Sequence, residues 1–114
     1  MPSLHELITL EFGVRTRSRD NPENTAMTTA SQLIARNDSS RLALSIVNLG
    51  QQIVHVRNAA APSSTVGFAI GPNGGSLTLN FREDFHMVGH DWFGLTPSGV
   101  STIFVQEVLV EPDA

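Results

Sequence analysis

The sequence predicts an all-β protein, a β-sandwich of jelly-roll or immunoglobulin-like type with roughly seven or eight strands and an extended N-terminal arm. Three observations predict it. Short runs of alternating apolar and polar residues recur along the chain, clusters of Gly, Pro, Asn, Asp and Ser separate them, and no stretch sustains helical periodicity. A chain of 114 residues fits one domain with one core and leaves no room for a separate cofactor domain.

The elements follow in order. Ile8, Leu10, Phe12 and Val14 alternate with Thr9, Glu11, Gly13 and Arg15, the period of a half-buried strand. A helix competes just upstream, where Ser3 and Glu6 have capping-box spacing, and the strand from Ile8 is preferred. Residues 15–31 hold almost no large apolar side chain and include Asn21-Pro22, so they read as a long loop or arm. Strands are then expected at 32–36, 41–49, 52–57, 66–70, 76–81, 92–95 and 100–110. Turn signals lie between them, such as Asn37-Asp38-Ser39-Ser40, Gly71-Pro72-Asn73-Gly74-Gly75 and Thr96-Pro97-Ser98-Gly99. The chain thus divides into a strand and arm over residues 1–31 and a sandwich domain over 32–114, which predicts that the sandwich folds without the arm. The last strand would extend about 35 Å at about 3.3 Å per residue. Such a strand either pairs partly outside its own sheet or is divided by a bend or bulge.

Composition narrows the function. There are 7 basic and 11 acidic residues for a net charge of −4, all the basic ones are arginine, and cysteine and tyrosine are absent. Without cysteine there is no disulfide framework, thiol nucleophile or thiolate metal site. An acidic chain with dispersed arginines lacks the basic stripe that nucleic acid demands, and no apolar window is long enough to cross a bilayer. Neither nucleic acid nor membrane is an expected partner, and the start of the chain carries no signal-peptide pattern.

Four groups of residues have candidate chemistry. Asp84, His86, His90 and Asp91 form the densest titratable cluster, but Gly89 and the β-rich surroundings remove the helical geometry that would give the spacing of four a meaning. No metal or other cofactor is expected there. The Gly71–Gly75 turn lacks the lysine and helix of a phosphate loop and reads as a hairpin in which Asn73 and Gly74 take positive φ. Arg15, Arg17 and Arg19 occupy alternate positions and would present three guanidinium groups to one side of an extended arm. Of Trp92 and Phe93, neighbours in a strand, one must point inward, and Trp92 reads as core.

The run Arg41-Leu42-Ala43-Leu44-Ser45-Ile46-Val47-Asn48-Leu49-Gly50 is similar to an R-x-x-L-x-I-x-N-x-G strand of small structural proteins of tailed bacteriophages. Residues 67–70, the Gly74-Gly75 turn before Leu77, and Trp92-Phe93-Gly94-Leu95 followed by Gly99, Ser101 and Thr102 resemble that group too. The likeness covers residues 32–110 and leaves the arm unmatched. It implies a virion component, a head decoration or cement protein on the capsid surface, made in the host cytoplasm and not an enzyme. Such a protein binds the major capsid protein and often forms a homotrimer. The interface expected from the arm and last strand comprises Arg15, Arg17, Arg19, Met27, Val105, Val108 and Val110. Two other readings stand beside it. One is a glycan- or receptor-binding module of a tail or neck fibre that uses Asn73, His86, His90 and Trp92. The other is a small cupin-type metal enzyme using His55, His86 and His90.

Overall fold

The computed structural model of the protein describes residues 16–59, 61–63, 66–80 and 85–110, with the backbone alone for 85 and 86. Among them are the strands β1 (Thr16–Asp20), β2 (Ala26–Met27), β3 (Gln32–Ala35), β4 (Arg41–Asn48), β5 (Val54–Arg57), β6 (Phe68–Ile70), β7 (Ser76–Asn80), β8 (Trp92–Leu95) and β9 (Ser101–Val110). A short 3-10 helix, Phe85–Gly89, precedes β8. The strands form two antiparallel sheets packed together. The first has the order β1-β9-β4-β7, with β2 also on β9, and the second has the order β3-β8-β5-β6. This is the all-β sandwich that the alternation predicts.

Side-chain phase explains the layers. Along β9, Ser101, Ile103, Val105, Glu107 and Leu109 are buried while the residues between them are exposed or half-buried, so one face meets the second sheet and the other looks outward. The inward residues Leu44 and Ile46 of β4 pack with Ile103, Val105, Val54, Val56, Ile34 and Trp92 in the core. Each fully buried aliphatic side chain of this kind contributes roughly 1.5–3 kcal/mol. Trp92 does point inward, with no exposed surface, and its indole N–H donates to the Met87 carbonyl at 3.1 Å.

Three expectations need correction. Residues 16–27 are not a free arm. β1 pairs with Gln106 to Val110, and β2 pairs with Ser101 and Thr102. Between them Asn21 N donates to Val105 O at 2.7 Å, and Asn21 Oδ1 accepts from Val105 N at 2.9 Å. Backbone pairing needs no apolar side chain, so a polar, arginine-rich segment completes the sheet edge. Met27, which has no exposed surface, anchors it in the core. Gly94 makes the space, since a Cβ there would meet Met27 Sδ at 2.8 Å and Ile34 Cδ1 at 2.6 Å. The sandwich therefore includes residues 16–27, and the boundary at residue 31 does not separate two units; residues 1–15, with the strand expected from Ile8, lie outside the described residues.

The last strand is the second correction. β9 runs for 10 residues with both edges taken by its own chain, β4 on one side and β1 and β2 on the other. The irregularity falls on β4, where the register shifts between Arg41 and Ala43. That bulge turns Arg41 inward beside Leu44 and Ile46 and displaces Leu42 from the inner face. The third concerns the Gly71–Gly75 turn. Asn73 (φ 57) and Gly74 (φ 102) take positive φ as expected, but the turn carries the chain from β6 in one sheet to β7 in the other, so it is not a hairpin.

Candidate functional site

Polar clamps hold the two ends of the sandwich in register. At one end Glu107 of β9 is fully buried between two arginines. Arg41 Nε donates to Glu107 Oε2 at 2.5 Å, and Arg19 reaches from β1 with Nε on Oε1 at 3.0 Å and Nη2 on Oε2 at 3.3 Å. Arg41, 2% exposed, also donates to the carbonyls of Val88 and His90, each at 3.0 Å, and of Arg36. One guanidinium thus ties β4 and β9 to the segments leading into and out of the second sheet. Hydrogen bonding to Glu107 raises the Arg19 pKa above its ordinary value. Asp38, 3.5 Å from Arg19, accepts from Ser40 N at 2.9 Å and Ser40 Oγ at 2.5 Å, and that hydrogen bonding holds its carboxyl below the usual carboxylate range.

At the other end Asn48 has the same role without charge. Its Nδ2 donates to Gln52 O at 2.7 Å and Ile70 O at 3.2 Å, while Oδ1 accepts from Ser101 Oγ at 2.7 Å and Gly50 N at 3.1 Å. Every donor and acceptor of this buried amide is used. Gly50 must be glycine for the arrangement, because a Cβ there would fall 2.0 Å from Ser101 Oγ and 2.9 Å from Ser101 Cα. The spaced residues of the Arg41 to Gly50 motif accordingly have structural duties: Arg41 and Asn48 clamp the ends, Leu44 and Ile46 fill the core, and Gly50 admits Ser101.

Outward from these clamps lies the outer face of the first sheet, which carries little charge at its described positions. Register puts Val47 beside Phe104, Ala43 beside Val108, Ser45 beside Gln106 and Thr16 beside Val110 on the outer face of the first sheet. β7 adds Ser76, Thr78 and Asn80, and β1 adds Ser18 and Asp20. Val47, Phe104, Val108 and Val110 are only half-buried, and among the described positions of these strands on this face Asp20 has the one charge. In its depletion of charge, though not in its many Ser, Thr and amide side chains, this face is like the centre of a protein–protein interface.

The residues singled out from sequence are dispersed by the fold. Arg15 lies outside the described residues. Arg17 and Arg19 share one side of β1, the inward side, where Arg17 is exposed and Arg19 is committed to Glu107. Val108 and Val110 face outward, whereas Met27 and Val105 are wholly inside their own core and offer a neighbour no surface. Asn73 is exposed at the Asn48 end, where its N–H donates to Gly50 O at 2.9 Å, while His90 and Trp92 lie at the Arg41 end. The described members of the glycan-binding group therefore do not converge, and the buried indole presents no face for a sugar. The His86 side chain lies outside the described residues. The 3-10 helix ends at Gly89, so His90 lies beyond it and helical spacing does not relate it to position 86. His55 is buried on β5, and among the described residues no three of His, Asp and Glu are grouped to hold a metal ion. Glu107 was missed because both phases of β9 are rich in apolar residues, which hides a carboxylate in the inward phase.

No family model, curated protein or solved structure matches this chain. Its own geometry is what bears on its role.

Proposed function

We propose that the protein is a virion structural subunit, a capsid decoration or cement protein of a tailed bacteriophage that binds the major capsid protein and further copies of itself, as a trimer, on the capsid surface. The observation that carries the reading is the outer face of the first sheet, half-buried, apolar at Val47, Phe104, Val108 and Val110, and charged among its described strand positions only at Asp20. The resemblance of the Arg41 to Gly50 strand and of the segment around Trp92 gives the phage context. Two clamped ends make a stiff body, which suits a part whose work is shape complementarity and whose binding then costs little ordering entropy.

Sedimentation of particles from a phage lysate that produces the chain tests this. The chain is expected in the capsid band at a fixed ratio to the major capsid protein, and a chain carrying Val108→Asp is expected to remain in the soluble fraction. Absence of the unaltered chain from purified particles would overturn the reading.

A further inference from the structure

We propose that copies of the chain join through the Asn48 end of the sandwich, the loops 49–53, 71–75 and 96–100 of one copy meeting the same loops of another. The proposal rests on the assembly reading, from which it takes that copies meet, and it names the surface that joins them. Charge is divided along the sandwich. Residues 24–35, 42–54, 66–80 and 92–106 contain no Asp, Glu, Arg, Lys or His. In the first sheet Arg17, Arg19 and Asp20 stand opposite Leu109, Glu107 and Gln106, and Arg41 is bonded to Glu107. In the second sheet Arg57 stands opposite Phe93, two residues after Asp91. Glu23 is paired with Arg36 at 2.7 Å. From Ser101 to Glu107 β9 extends about 20 Å at about 3.3 Å per residue, more than twice the screening length of about 8 Å in physiological salt. A net charge of −4 opposes contact between identical copies. Meeting through the uncharged loops sets no described like charges against each other.

The same end exposes apolar side chains on a fixed frame. Leu49 and Val100 are 58% and 60% exposed, the most exposed large apolar residues among those described. β4 and β9 bring them to one place, because Leu49 N donates at 2.9 Å to the carbonyl of Thr102, two residues beyond Val100. The loops are tied to one another: Asn73 N donates to Gly50 O at 2.9 Å, Gly74 N to Asn48 O at 2.7 Å, and Thr96 Oγ1 to Gly99 O at 2.8 Å. From within, the Asn48 side chain holds Gln52, Ile70 and Ser101. Gln51, Asn73 and Ser98, in the same three loops, are exposed, polar and uncharged. A protein contact needs apolar groups to bury and polar groups that stay hydrated at its margin, and these loops supply both. Burying Leu49 and Val100 against another copy removes them from water without the cost of desolvating a charge.

Light scattering on the full chain and on its Leu49→Glu and Val100→Glu variants tests the contact. The full chain is expected at two or three times the chain mass. Each variant is expected at the monomer mass with an unchanged melting temperature, since neither side chain belongs to the core. Gln51→Arg, at an exposed loop position, is expected to weaken association at least about tenfold, because it sets like charges against each other at the contact. Val108→Asp, on the outer face of the first sheet, is expected to keep the oligomer. A monomeric full chain, an oligomer undiminished by the glutamate and arginine substitutions, or an oligomer lost in Val108→Asp would each overturn the contact. A monomeric chain that still sediments with phage particles leaves the decoration role standing, and an oligomer absent from particles overturns that role alone, so the two readings fail separately.

Discussion

At the scale of single residues, stability is concentrated in groups that periodicity ranks as ordinary. Glu107 has no exposed surface, and its removal would leave Arg41, itself 2% exposed, without its carboxylate. Breaking a buried pair in this way costs about 3–5 kcal/mol. Denaturant unfolding of Glu107→Ala is expected to show a loss of that size, while Arg17→Ala at an exposed position of β1 stays within about 0.5 kcal/mol. Gly50→Ala is expected to cost about 1–3 kcal/mol, because the new methyl group would displace Ser101 from Asn48; a melting temperature equal to that of the unaltered chain would contradict this. Asp38 sets a pH dependence. Its folded pKa lies below the ordinary value of 3.8, so its contribution is present above that value and is lost as pH falls through the lower folded one. An Asp38→Asn chain is expected to lose less stability than the unaltered chain over that acid range.

At the scale of elements, the arm changes meaning once it is seen paired. Residues 16–27 supply a sheet edge, one arginine of the Glu107 clamp and a core methionine. Removing residues 1–30 is therefore expected to unfold the domain or lower its melting temperature markedly, with Met27→Ala alone costing about 2–5 kcal/mol. Strand positions were legible in the sequence to within a residue or two, as at 92–95 and 41–49, because alternation and turn chemistry are local properties. β1 and β2 were not legible. Their stability comes from backbone hydrogen bonds to β9, a partner some eighty residues away in the chain, and no run of side chains announces it. The bulge in β4 was equally hidden, since it is settled by Arg41 turning inward to Glu107.

At the scale of the whole molecule, the two clamps close a core on the inner face of the first sheet, and the outer face of that sheet carries half-buried apolar side chains. In the proposed decoration role, substituting Val108 by Asp on that face is expected to abolish assembly onto the particle, while the denaturation midpoint of the domain stays nearly unchanged because the side chain lies outside the inner core. A large loss of stability in Val108→Asp would show that the face belongs to the fold and not to assembly. By itself the sequence determined the class of fold, the places of the strands after residue 31, the inward Trp92 and the absence of cysteine chemistry, all consequences of composition and short-range periodicity. The tertiary structure decided that the polar segment 16–27 belongs to the sandwich, that Glu107 and Asn48 clamp its ends, and that Val108 and Val110 look outward while Met27 and Val105 do not. Each of those depends on strand register, and register is set by partners distant in the chain whose side chains meet only after the sheets have formed.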